Sequence, residues 1–256
     1  MRKIIKKLFK TLGYTISKKN DEREVKLLTL DEIYSQKLKS SPLIFDVGAN
    51  NGQSIKRFSK LFEKPVIHAF EPNIREFKNL EKKFSKSSNI KLNNMGIGDK
   101  EEIKEFNVAA HSENSSFIKP KLNTKWIELR SEQAKIEQSQ YILSKEKVKI
   151  DTIDNYCLKN NIKHIDILKI DTQLYEDKVL EGCKNIIDNQ LVDAIELEIV
   201  FSKVYEKYFS FSDIEKYLVT KNYRFSAIQT HNNNLFSGSI FFAVVLYLNK
   251  KKFDLD

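Results

Sequence analysis

From Pro42 onward the chain alternates short apolar runs with segments whose apolar residues return every three or four positions. Leu43-Ile44-Phe45, Pro65 to Phe70 and Ile90 to Ile97 are strand-sized runs. Between them Ile55, Phe58, Leu61 and Phe62, then Phe77, Leu80 and Phe84, trace the inner faces of two helices. The pattern resumes with a strand over Ile165 to Asp171 and a helix over Tyr175 to Ile187, its face made of Val179, Leu180, Cys183, Ile186 and Ile187. Leu191 to Phe201 is a strand and Phe211 to Asn222 a helix; Phe225 to Thr230 and Ile240 to Leu248 are the last two strands. Strands alternating with helices predict βαβ units and a mostly parallel sheet. The middle is less regular. Ile103 to Ala109 reads as a strand, 111–125 as polar loop and 125–147 as a charged helix and candidate lid. Lys147 to Ile153 reads as an alternating strand leading into a short helix.

Residues 2 to 12 carry a different pattern. At about 100° per residue, Ile4, Ile5, Leu8, Phe9 and Leu12 share an arc of roughly 140°. Lys3, Lys6, Lys7 and Lys10 lie opposite. This suits a helix lying on an anionic membrane surface, with residues 1–20 as the contact, and equally a helix docked on its own domain. A polar segment with a second helical pattern follows to about Ser40. We read 1–40 as a helical N-terminal extension and 41–256 as one domain, the right size for a single core in a chain of 256 residues.

The net charge of +9 changes little in this picture, because its excess is local. Arg2, Lys3, Lys6, Lys7, Lys10, Lys18 and Lys19 all precede the first acid, Asp21, and the remainder is near balance. A nucleic-acid binder carries its basic face on the body of the domain, so no nucleic-acid partner is expected. With 41% hydrophobic and 31% charged residues the chain is globular, and no apolar run reaches the length of a membrane span. Cys157 and Cys183 are far apart and outside any C-x-x-C, so a disulfide framework and a cysteine zinc site are both disfavoured. With no secretory leader pattern at the N-terminus, a reducing, cytoplasmic setting is the expectation, peripheral at the inner membrane face if the basic helix docks there.

Three acids, Asp46, Glu71 and Asp171, end three predicted strands, where open α/β sheets bind ligands. Asp46-Val47-Gly48-Ala49-Asn50-Asn51-Gly52 is a strand-to-helix turn whose glycines let backbone approach a ligand. It is not the G-x-G-x-x-G pyrophosphate fingerprint, which argues against a nicotinamide-dependent dehydrogenase. An acid before the first glycine and another after the second strand suit a nucleoside without phosphates, as in S-adenosylmethionine (SAM), with its ribose on Glu71 and its amino acid end near Asp46. Taken singly, Asp46 and Asp171 would also serve as helix caps.

These residues resemble the FkbM-type SAM-dependent methyltransferases. Ile44-Phe45-Asp46-Val47-Gly48-Ala49-Asn50-Asn51-Gly52-Gln53 is similar to that family's first motif, His68-Ala69-Phe70-Glu71-Pro72-Asn73 to its second and Met95-Gly96-Ile97-Gly98-Asp99 to its third. Asn114-Ser115-Ser116-Phe117 resembles its serine loop, and Thr152-Ile153-Asp154 its T-hydrophobic-D step. Leu168 to Gln173, Glu176 and Val179-Leu180-Glu181-Gly182 resemble its K-I-D-x-[EQ]-G-x-E-x-x-V-L-x-G block, and Glu196-Leu197-Glu198 with Tyr205 its penultimate strand. Two positions depart. Leu174 stands where the family has glycine, which places bulk at a turn facing the cofactor cleft. Ser239-Ile240-Phe241 stands where an acid is common.

The resemblance implies a class I methyltransferase, a Rossmann-like doubly wound sheet binding SAM. Its cofactor-binding residues would be Asp46, Gly48, Asn50, Gly52, Glu71, Pro72, Asn94 and Gly96, and its acceptor contacts His111, Asn114, Ser115, Ser116 and Tyr205. Methyl transfer is mainly alignment, but an alcohol acceptor must also lose a proton. Asp171 is the expected base, with Glu198 as partner or alternative and Glu196 a weaker candidate one step deeper. His68 reads as packed and His164 as exposed; His111 and His231 lie in loops where an acceptor could reach them. His111 with Asp171 or Glu198 would be the candidate metal ligands, but no ligand spacing supports a site, so no required metal is expected. The family's habit points to O-methylation of a sugar hydroxyl in surface glycan synthesis. A nucleic-acid methyltransferase and a degenerate SAM-binding module that keeps the fold are the competing readings. The first lacks the expected [DN]-P-P-[FY] block, and the second rests on Leu174.

Overall fold

The computed structural model describes residues 27–230 and 239–255; the basic pattern at 2–12 and His231 lie outside them. Helix α1 (Leu30–Lys37) opens with a capping box in which Thr29 and Glu32 satisfy each other's backbone donors. Then follow β1 (Leu43–Val47), α2 (Gln53–Leu61), β2 (Val66–Phe70), α3 (Ile74–Phe84), β3 (Ile90–Asn93), β4 (Gly96–Ile97) and β5 (Glu102–Ala109). After a loop come α4 (Lys125–Ala134), β6 (Ile142–Asp151), α5 (Ile153–Lys159), β7 (Ile165–Ile170), α6 (Glu176–Glu181), α7 (Lys184–Asp188) and β8 (Val192–Val200). The chain closes with α8 (Phe211–Val219), β9 (Tyr223–Thr230), β10 (Phe242–Asn249) and α9 (Lys250–Phe253).

Among the described residues, seven strands form the main sheet in the order β3-β2-β1-β7-β8-β10-β9. The first five are parallel and β10 runs antiparallel between β8 and β9. This is the doubly wound class I methyltransferase arrangement. Apolar clusters cover both faces. Phe45, Val47, Ile195, Leu197 and Tyr247 look toward α5 and α6, whereas Ile44, Ile67, Ala194 and Leu246 look toward α1 and α2. Leu30, Ile33 and Tyr34 of α1 are buried in the second cluster. Full burial of such side chains stabilises the fold by about 1.5–3 kcal/mol each.

Three expectations about the elements are corrected. The run Ile90 to Ile97 is two strands, because the chain leaves the main sheet after Asn93 and Gly96–Ile97 pairs with β6 instead. The charged stretch 125–147 is helical only to Ala134; from Ile142 it pairs antiparallel with β5, so cross-strand hydrogen bonds override its helix-forming composition. The Tyr175–Ile187 helix is broken at Gly182–Cys183 into α6 and α7. The resulting second sheet, β4-β6-β5, shares a cleft with the turns that follow β1, β2 and β7.

Leu174 does not face the cofactor cleft. Gln173 and Leu174 adopt φ of +55° and +67°, the left-handed region in which glycine is at ease. That turn swings the leucine into a third apolar cluster with Trp126, Tyr141, Val204 and Tyr205, where it is 2% exposed. Leu174→Gly should relieve about 1–2 kcal/mol of backbone strain and lose more in packing, for a net destabilisation of about 2–3 kcal/mol. Urea unfolding midpoints of the two proteins check this.

Candidate functional site

β1 ends in a turn through Gly48 (φ +84°) and Asn50 (φ +43°). A Cβ on Gly48 would sit 1.9 Å from the Asp171 carbonyl oxygen, so the turns after β1 and β7 touch where a side chain cannot fit. Glu71, just past β2, is buried. Its Oε2 accepts the Asn50 N–H at 2.7 Å and its Oε1 the Asn73 N–H at 2.8 Å. A carboxylate offers roughly four lone-pair sites, so each oxygen keeps one for a ligand hydroxyl. Burial pushes Glu71 up to about 7, against the pull of those two backbone donors.

Around Glu71 opens a cleft of about 770 Å³, counted out to its mouth. Its floor is the Gly48–Asn50 turn. Its walls are Phe70, Met95, Ile97, Phe106 and Phe117, an apolar slot suited to a flat ring. β4 and β5 of the second sheet supply part of that wall. Gly96 keeps the slot open, since a Cβ there would come within 2.6 Å of the Phe117 ring.

Beneath the cleft lies a polar row inside the sheet. Register pairs Asp46 with Lys169 and Lys169 with Glu196, across β1, β7 and β8. Lys169 Nζ is 3.2 Å from Asp46 and 3.5 Å from Asp171. Burial pulls the ammonium down, but Asp46, Asp171 and Glu196 outweigh it and hold Lys169 above its usual value. Glu196 is closed off by Arg57 Nη1 at 2.7 Å and by the Tyr34 hydroxyl, which donates at 2.8 Å.

A second, larger cavity of about 1690 Å³ adjoins the first and shares Lys169, Asp171 and Gln173 with it. Glu198 lines the second cavity. The Gln173 amide donates to Asp171 Oδ1 at 3.1 Å and reaches Glu198 Oε1 at 3.4 Å. Its own oxygen is 3.2 Å from the Tyr205 hydroxyl, which also lies 3.0 Å from the Asn114 carbonyl. Burial first, then the charges of Asp171 and Glu176, push Glu198 well above the usual carboxylate range. Asp171, which lines both cavities, and the buried Glu198, which lines the larger one, thus stand on either side of the Gln173 amide.

The family model of the methyltransferase FkbM domain matches residues 46–225. The chain belongs to this family. Its cofactor is SAM, and the glycine turn, Glu71 and the apolar slot fit a nucleoside. The 2-O-methyltransferase NoeI of Sinorhizobium fredii (strain NBRC 101917 / NGR234) is 23% identical over 158 residues. The match takes in 61% of this chain and 63% of NoeI, so the chain spans less than two thirds of that relative. Among solved structures, M. capricolum TrmK in complex with S-adenosyl-homocysteine is similar with a TM-score of 0.45 and 12% identity, over 88% of this chain and 70% of that one. A precorrin-6y C5,15-methyltransferase from Geobacter metallireducens GS-15 gives 0.44 and 11%, over 90% and 96%.

The FkbM motif residues do not all reach the cavities. Gly48, Asn50, Glu71, Pro72 and Gly96 line the cleft. Asp46 lies below it against Lys169. Gly52 faces Phe84 and Leu80 of α3, and Asn94 spends its amide on the Glu71 and Pro72 carbonyls. Of the serine loop, Ser115 lines the cleft and Asn114 the larger cavity, which Tyr205 of the penultimate-strand motif also lines. Ser116 instead donates to the Gln173 carbonyl at 2.7 Å, which clamps the turn after β7. His111 lines neither cavity; its Nε2 is 3.3 Å from the Arg130 carbonyl. His68 is packed as expected, stacked on Phe45 and bonded to Tyr156, and burial lowers it to about 4. His164 is half-buried and paired with Asp193 rather than exposed. Where the family's last-strand acid is missing, Phe241 and Phe242 wall the larger cavity.

The motif reading gave no role to Lys169, Gln173, Arg57 or Tyr34. A lysine inside the mostly apolar run Ile165 to Ile170, whose other polar residue is Asp166, was a readable signal for a buried ion pair; the contacts of Arg57 and Tyr34 carry no such mark. Lys169→Met should destabilise the protein by about 3–5 kcal/mol, because it leaves buried carboxylates without their cation. Adding Asp46→Asn should restore part of that loss, as read from paired chemical unfolding curves.

Proposed function

We propose that the protein is a SAM-dependent O-methyltransferase acting on a sugar hydroxyl in surface glycan synthesis. The observation that carries this reading is the Asp171–Gln173–Glu198 cluster at the junction of the two cavities. The smaller cleft would hold SAM, with its ribose hydroxyls on the remaining lone pairs of Glu71, its adenine in the slot walled by Phe106 and Phe117, and its amino acid end toward Gly48. When bound, SAM supplies an electrophilic methyl group. The chain's own residues do the rest. Asp171 takes the proton from the acceptor hydroxyl as it attacks. Gln173 fixes the Asp171 carboxylate, and Tyr205 fixes Gln173. Glu198, raised by burial, keeps its proton and offers a donor to a neighbouring hydroxyl of the acceptor. NoeI, a 2-O-methyltransferase, supports oxygen as the acceptor atom.

The larger chamber sets Glu113, Asn114, Arg130 and Gln229 beside Trp126, Phe241 and Phe242, polar groups for hydroxyls next to apolar faces on which a sugar ring can rest. Among the described residues no helix is long and apolar enough to cross a membrane. A peripheral contact through residues 1–20 remains part of the proposal, resting on their sequence pattern alone.

Transfer of labelled methyl from SAM to a panel of mono- and oligosaccharides, beside an RNA panel, tests the reading. Labelled sugar is the expected result; labelled RNA with unlabelled sugars overturns it. Asp171→Asn should lower kcat by about 10²-fold or more with little change in KM for the acceptor. SAM binding should also depend on pH. Below about 7 Glu71 holds a proton and one oxygen no longer accepts; above it both accept. Affinity should therefore rise between pH 6 and 8 by calorimetry, and the rise should vanish in Glu71→Gln.

A further inference from the structure

At the opposite edge of the sheet, where the parallel strands begin, stands a cluster outside the site described above. Asp166 and Asp193 lie between the register pairs Ile165–Val192 and Ile167–Ala194, so they are cross-strand neighbours on β7 and β8. Both are buried, at 4% and 2% exposure. Like charges side by side in a sheet repel, and two buried carboxylates require a cation. His164 completes the group. One ligand atom from each of His164, Asp166 and Asp193 lies within 4.8 Å of the others.

Within this cluster His164 Nε2 is 3.1 Å from Asp193 Oδ1, yet that oxygen is buried and accepts no hydrogen bond. A nitrogen and an oxygen at that separation, without a proton aligned between them, are spaced like adjacent ligands around a divalent ion bonded at about 2.0–2.2 Å. We propose that His164, Asp166 and Asp193 form a binding site for a borderline divalent cation of the zinc type, with water completing its shell. One imidazole and two carboxylates are a donor set such ions accept. The site would staple the starts of β7 and β8, and β1 as well, since the Leu43 N–H donates to Asp166 at 2.7 Å.

Two lysines compete for the same charge. Lys39 lies 2.9 Å from Asp166 and Lys252 3.6 Å from Asp193, with side chains 60% and 53% exposed. Both arrive on flexible stems from outside, and an ion with inner-shell bonds displaces them into water. Along the strands the cluster is roughly 15–25 Å from Asp171 and Glu198, at about 3.3 Å per residue. It is therefore independent of the proposed methyl transfer.

The test is calorimetric titration of the chelator-treated full chain with zinc chloride at pH 7.5, repeated on variants. One ion should bind the wild type and raise its Tm. His164→Ala and Asp193→Asn should weaken binding by about tenfold or more. Lys39→Met, which removes a competing cation, should strengthen it. His164 is half-buried, so its variant should stay folded by circular dichroism; if Asp193→Asn does not fold, His164→Ala and His164→Gln decide. No zinc binding to the wild type, or binding unchanged by loss of His164, overturns the proposal and leaves the cluster to its lysines.

Discussion

The ammonium of Lys169 sits in the middle of a parallel sheet, 8% exposed, and the functional end of the molecule is arranged around it. A charge at that depth persists only if neighbouring strands bring carboxylates to it. β1 brings Asp46, β8 brings Glu196, and the turn after β7 brings Asp171. Each has a second duty. Asp46 lies under the glycine turn, Asp171 stands between the two cavities, and Glu196 ties α1 and α2 to the sheet through Tyr34 and Arg57. Strand register is thereby coupled to the site, because a slip of one residue would turn every member of the row to the other face.

The same economy appears in the turn after β7. Gln173 and Leu174 hold left-handed conformations that cost energy, and the cost is met by burying Leu174 and by Ser116 clamping the Gln173 carbonyl. The result is a fixed direction for the Gln173 side chain, which bridges the carboxylates of Asp171 and Glu198. Methyl transfer depends on placing two reactants within a narrow range of distance and angle, and a strained but over-determined turn suits the role proposed for Asp171. Leucine in place of glycine therefore leaves the cleft intact, contrary to what the sequence motif alone suggests.

Much of this was legible in the residues. Short continuous apolar runs and period-3.6 patterning located the alternating elements of the main sheet, because its strands bury both faces and its helices only one. The acids at the ends of β1, β2 and β7 were found because sheet topology confines ligands to that edge. What failed were segments whose partners are distant in sequence. Ile142 to Lys147 is charged and rich in helix formers, and only pairing with β5 makes it a strand. Gly52 stood in the first motif and Asn94 beside the third, but they serve packing and backbone, since motif spacing does not say which way a side chain turns.

By itself the sequence determined the class of fold, the alternation of strands and helices in the main sheet and the family, all of which depend on local periodicity and on residue types at strand ends. Tertiary structure decided which acids are buried and against what, which residues share a cavity and where Leu174 points. Those properties follow from burial and from distances between strands far apart in the chain, as in the 3.2 Å between Lys169 and Asp46. Desolvation and Coulomb energy depend on such distances and on nothing a linear pattern records.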